Sequence, residues 1–116
     1  MLTVAHFAIT IGRNVGHEPM DDDAWTRFKA AIEWEIETIL RGTLYVRGNE
    51  GEGEWEEEDG TKVSETNAVF TGEIDLAKAW TLEHVSLPQL AYEFKQDAIA
   101  LTVGRGVLVE ASQTSI

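Results

Sequence analysis

Cations are scarce in this chain: nine lysines and arginines stand against 21 aspartates and glutamates, a net charge of −12. Arg13 and Arg47 therefore draw attention, because each ends or follows a stretch that alternates as a strand. Asn67 falls near the start of the third such stretch, and Gln96 precedes the fourth. A sheet bringing these positions to one end would set two guanidinium forks beside two amides, able to grip a phosphate or carboxylate bidentately. Tyr45 and Trp55 add flat surfaces for stacking, although a tryptophan in a hairpin equally covers a core edge. Surface arginines also pair routinely with nearby carboxylates, the simpler account of both.

The histidines are His6, His17 and His84, and none has a second ligand at metal spacing. No metal or other cofactor is expected. His6 is the one imidazole set in a strand among small residues, with Thr10 four positions on, so it is the candidate acid or base. No Ser-His-Asp order or nucleophile elbow is present, and residue 2 is leucine, which excludes an N-terminal proline base of the tautomerase kind. Residues 12–17 are glycine-rich without the GxGxxG spacing of a dinucleotide loop. Seven acids lie between Glu50 and Asp59. They could bind a divalent cation or mimic phosphates, but they lack EF-hand spacing, and a solvated loop is the simpler reading.

The elements that must position these residues follow from periodicity. Residues 4–11 alternate Ala5, Phe7, Ile9 and Ile11 with Val4, His6, Ala8 and Thr10. Residues 97–103 alternate Ile99, Leu101 and Val103 with Ala98, Ala100 and Thr102. Both read as strands with one bulky face and one small face. Trp25, Phe28, Ile32, Ile36 and Ile39 recur at helical spacing, with one of Asp21–Asp23 as cap and Arg41-Gly42 as stop. Residues 43–47 and 62–74 read as strands; residues 49–60 read as a strand extension and hairpin, or as a loop. Residues 75–85 are ambiguous, and Ser86-Leu87-Pro88-Gln89 reads as a capped helix start. Gly104-Arg105-Gly106 is expected to break or bulge the last strand before Val107-Leu108-Val109.

The resulting β-α-β-β-α-β order predicts an α+β protein with a ferredoxin-like split βαβ layout. Four antiparallel strands carry two helices on one face. Residues 1–110 form one domain, and 111–116 a loose tail. That layout makes the first and last strands neighbours and gathers Ala8, Ala98 and Ala100 with His6 and Thr10 on the helix-free face. A face of alanine and threonine is seldom left in water, so a homodimer through it is expected, with a ligand cavity as the second explanation.

Composition narrows the partners. The absence of cysteine removes disulfides and thiolate chemistry and weakly fits a reducing compartment. No stretch nears the roughly 20 apolar residues of a membrane span, and the N-terminus lacks the pattern of a signal peptide, so a cytoplasmic location is expected. Strong negative charge disfavours nucleic acid and anionic membrane.

Phe7 through Gly12-Arg13, Asp22-Asp23 with Trp25 and Phe28, Gly51 and Gly53 with Trp55 before Asp59-Gly60, and Tyr92, Phe94 and Gln96 form an ordered set over residues 5–103. That set resembles a domain-of-unknown-function family of small bacterial and phage α+β proteins. The resemblance implies the fold and brings no established activity. The first functional expectation is a non-enzymatic binding protein holding a small anionic or nucleotide-like ligand near Arg13, Arg47, Tyr45, His6, Thr10, Gln96 and Trp55. A phage protein of this build could act by sequestering a signalling nucleotide. The alternatives are an acidic inhibitor or DNA mimic, and a dimeric α+β barrel enzyme using His6.

Overall fold

The computed structural model describes residues 4–41, 45–48 and 50–105. Its centre is β1 (Val4–Gly12), whose burial alternates along its whole length. β1 pairs antiparallel with β6 (Lys62–Asp75) on one side and with β7 (Ala100–Arg105) on the other. β4 (Tyr45–Arg47) and β5 (Gly51–Glu56) share the far side of β6, so the order is β4-β6-β1-β7 with β5 beside the first half of β6. Residues 50–60 thus take the strand-and-hairpin form, with a turn between β5 and β6 in which Asp59 accepts the Thr61 N–H at 2.9 Å. A small second hairpin joins β2 (Asn14–Val15) to β3 (Glu18–Pro19), with Gly16 at φ +63° in its turn.

The join between β4 and β5 carries an extra residue. Arg47 opposes Phe70 but Gly51 opposes Asn67, so the step from 47 to 51 faces the shorter step from 70 to 67. This is a bulge, and it switches which side chains face the helices. Gly48 donates to the Val69 carbonyl at 2.7 Å, and a Cβ there would sit 3.2 Å from that oxygen.

α1 (Asp22–Leu40) starts where the Asp21 carboxylate accepts the Ala24 N–H at 2.8 Å, with Asp22 and Asp23 at the positive end of the dipole. It ends with Arg41 at φ +41°; the expected glycine stop lies outside the described residues. Trp25, Phe28, Ile32 and Ile36 are buried against Ala5, Phe7, Ile9 and Ile11 of β1 and Phe70 and Ile74 of β6.

The second helical segment corrects the sequence reading. α2 (Leu76–Thr81), a π-helical turn (Leu82–Ser86) and α3 (Leu87–Glu93) run on from one another, capped by Asp75 rather than Ser86. Ser86 is buried in helical conformation and makes no capping bond. Pro88 lacks an N–H and would crowd the preceding turn of an α-helix. The wider turn absorbs this, with Leu87 donating to the Leu82 carbonyl five residues back.

β7 also differs from expectation. It starts at Ala100, because the chain turns after α3 at Lys95, φ +57°, and uses the following residues to reach the sheet edge. Ala98 therefore precedes the strand, and the residues flanking β1 are Ala100 opposite Thr10 and Thr102 opposite Ala8. Gly104 and Arg105 belong to β7; Gly106, Val107–Val109 and the tail lie outside the described residues.

Phe28 is fully buried and stacks on Phe94 with ring centroids 4.7 Å apart, linking α1 to the end of α3. Phe28→Ala should cost about 3–5 kcal/mol of unfolding free energy, measured as a lowered urea midpoint with an unchanged slope.

Candidate functional site

Side chains on the faces of β1 and its neighbours away from the helices line a shallow cavity of about 450 Å³. His6 and Ala8 come from β1, Val46 from β4, Thr71 from β6, and Thr102 and Gly104 from β7, and Glu73 adds one carboxylate. His6 and Glu73 are direct cross-strand partners, with Gly104 opposite His6 on the other side. Cross-strand partners of this kind have Cβ atoms about 5 Å apart, within reach of each other and of a shared ligand. Beneath this floor the missing side chain of Gly72 makes room for the Phe7 ring: a Cβ there would lie 2.8 Å from Phe7 Cε2 and 3.2 Å from Tyr45 Cβ.

The residues singled out in the sequence separate into three places. His6 lines the cavity, and Thr10 lies further along the same face between Val69 and Ala100. Tyr45 walls the cavity through its strand, but its hydroxyl turns to α1, where Glu33 and Glu37 approach it at 2.9 and 3.0 Å. Burial, and then the hydrogen bonds to Glu33 and Glu37, hold the phenol proton well above its ordinary range. Arg47 also pairs with Glu33, its Nε at 2.9 Å.

Arg13, Gln96 and Trp55 occupy the far end of β1. Arg13 donates from Nε to the Met20 carbonyl at 2.8 Å and from Nη2 to Asp22 at 2.7 Å. Gln96 donates to the Asn14 carbonyl at 3.0 Å. Asn14, Glu65, Trp55, Gln96 and Ala98 border a smaller cavity of about 260 Å³. There the Glu65 carboxylate takes the Asn14 N–H at 2.8 Å and lies so close to Gly12 that a Cβ would collide with it. Trp55 meets His17 edge-on at 6.1 Å, and His17 in turn contacts Glu57.

The structure does not bring Arg13 and Arg47 to one end of the sheet. Arg47 opposes Phe70, whereas the Arg13 N–H bonds to the Thr66 carbonyl, four residues earlier on β6 and roughly 13 Å along the strand. The chain does not leave the sheet at Arg47 but continues through the bulge into β5, so this arginine sits beside the middle of β6. Each guanidinium is already engaged by a carboxylate.

Sequence reasoning placed Thr102 on the small face but missed Val46, Thr71, Glu73 and Gly104 as cavity residues, although their alternation with buried neighbours marks the same face. It also missed a clamp on the bulge. Glu50 accepts from the Trp25 indole at 3.2 Å and from the Lys29 ammonium, and Lys29 lies 5.3 Å from the Trp25 ring centroid.

No protein-family model matches the chain, and no curated protein does either. Among solved structures it is similar to a phage SAM lyase in complex with S-methyl-5′-thioadenosine. The TM-score is 0.57 at 18% identity, over 89% of this chain and 81% of that one. A phage SAM lyase in the apo state gives a TM-score of 0.53 at 20% identity over the same shares of the two chains. The likeness is one of fold.

The Lys29 and Trp25 hydrogen bonds hold the Glu50 carboxyl below its ordinary value of 4.5. Its stabilising contribution is therefore complete above that value and disappears as pH falls through the lower folded value. The side chain is 43% exposed, which limits the effect to about 1 kcal/mol or less. Glu50→Gln should lower the urea midpoint at pH 7 and leave it close to wild type near pH 3.

Proposed function

We propose that this protein binds a nucleoside-like small molecule in the cavity on the helix-free face of its sheet. The observation that carries this reading is the cavity's composition: an apolar floor of Ala8, Val46 and Gly104 ringed by His6, Thr71, Thr102 and Glu73. A flat apolar floor accepts a purine face, and a few converging polar groups fix its edge and sugar. The volume of about 450 Å³ suits a nucleoside. The fold likeness to a phage SAM lyase holding S-methyl-5′-thioadenosine supports the same class of ligand.

Charge refines the expectation of an anionic ligand. Glu73 is the cavity's formal charge, the protein carries −12, and both candidate arginines hold carboxylates elsewhere. An uncharged or cationic nucleoside, such as a thioether or sulfonium, suits that field better than a phosphate. The strand order β4-β6-β1-β7, with one helix after β1 and one before β7, is read as the ferredoxin-like split βαβ layout. A homodimer through the open face belongs to the same reading, a second subunit roofing the cavity.

A second reading, turnover of the ligand, is favoured by one observation. His6 stands opposite Glu73 in the β1–β6 register, so an imidazole and a carboxylate leave the same face of adjacent strands, where a ligand lying between them would engage both. The primary reading, sequestration without turnover, and this one separate in a single experiment.

Titration calorimetry should give saturable binding of S-methyl-5′-thioadenosine, at least tenfold weaker binding of ATP, and loss of binding in Ala8→Leu, which fills the floor. Absence of binding by any adenine nucleoside would reject the proposal. Incubation with S-adenosylmethionine should return it unchanged. Release of S-methyl-5′-thioadenosine, abolished by His6→Ala and by Glu73→Gln, would instead establish turnover. Light scattering should report twice the chain mass.

A further inference from the structure

Among the described residues, the outer edge of β7 over Ala100–Gly104 carries none of the usual protection of an edge strand, the one charge, Arg105, being its last residue. β7 stands last in the sheet order, with no strand beyond it among the described residues. Edges left in water are normally blunted by proline, lysine, an inward charge, a bulge or short length. β4, at the other end, follows that rule, with three residues, Arg47 and the bulge after it. β7 has six residues, about 20 Å of strand, and reads Ala-Leu-Thr-Val-Gly over its first five positions.

A groove of about 480 Å³ lies at its start, between α3 and the residues that lead into the strand as far as Leu101. Leu87, Ala91, Ile99 and Leu101 give it an apolar lining, and Tyr92 stands 88% exposed at its side. A strand added to β7 would point every second side chain toward α3 and into this groove. Tyrosine so displayed is a common anchor of protein contacts. Glu83 and Asp97, both exposed, line the groove and no lysine or arginine shares that lining; the His84 imidazole approaches Glu83 at 3.6 Å, and Lys95 borders the neighbouring cavity with Asp97.

We infer that the outer edge of β7 and the α3–β7 groove accept an extended segment of a partner protein, apolar at alternate positions and flanked by lysine or arginine. Main-chain pairing would supply affinity, the groove would select the apolar side chains, and Glu83 and Asp97 would select the flanking cations. This surface is separate from the cavity on the open face, and it stands whether or not that cavity binds a nucleoside.

Selection of a displayed decapeptide library on the full chain should enrich sequences that alternate apolar residues and carry flanking lysine or arginine. A fluorescein-labelled copy of the strongest binder should lose at least tenfold in affinity when its alternate backbone amides are N-methylated. It should lose as much against Glu83→Lys combined with Asp97→Lys. Affinity unchanged by N-methylation overturns strand addition. Affinity unchanged by the double charge reversal, no enrichment, or enrichment of acidic sequences overturns the partner chemistry. Amide exchange that protects the outward N–H groups of β7 in the protein alone, increasingly at higher protein concentration, assigns the edge to a second copy and overturns the proposal as well.

Discussion

The rest of this structure depends on β1 burying one face and not the other. Ala5, Phe7, Ile9 and Ile11 are essentially inaccessible, while His6, Ala8, Thr10 and Gly12 between them are only partly covered. Because β1 lies between β6 and β7, its register fixes which side chains of both neighbours join the core. A slip of one residue would send Phe7 and Ile9 into water and His6 under α1, so the register is held by burial on one side alone. The two helical segments follow, since their apolar stripes can be satisfied only against that face.

The open face is thus the geometric complement of the core. Large residues are directed inward, and what is left outward is small: Ala8, Ala100, Thr102 and Gly104. That smallness makes the cavity. Its polar groups come from positions where β1, β6 and β7 alternate outward, which is why His6 and Glu73 stand opposite each other across the pair without any closeness in sequence.

The carboxylates show how strong negative charge is accommodated. Glu33 serves both Tyr45 and Arg47, Glu50 ties the bulge to Trp25 and Lys29, and Glu65 lies over Gly12 to reach Asn14. In each case an acid from one element meets donors on another, so the charges that favour solubility also fix the placing of β4, β5 and the β2–β3 hairpin. Arg13 and Arg47 are part of this pattern, paired with Asp22 and Glu33 as the simpler reading of the sequence had it. A lone cation among many acids finds a partner close by, and little is left over to hold a ligand.

What the sequence determined by itself was whatever depends on local periodicity: the two-faced strands, the amphipathic helix from Asp22, its aspartate cap and the order of elements. Alternation and helical spacing record which side of each segment must leave water, and no distant residue is needed to read them. The tertiary structure decided the rest. The bulge after Arg47 is set by how two strands share β6; the π turn that precedes Pro88 is set by a helix already committed on both sides of it. The company each polar residue keeps is likewise a matter of register between strands far apart in the chain. Arg13 and Arg47 were separated, and His6 and Glu73 joined, by pairings that the spacing of residues along one strand does not encode.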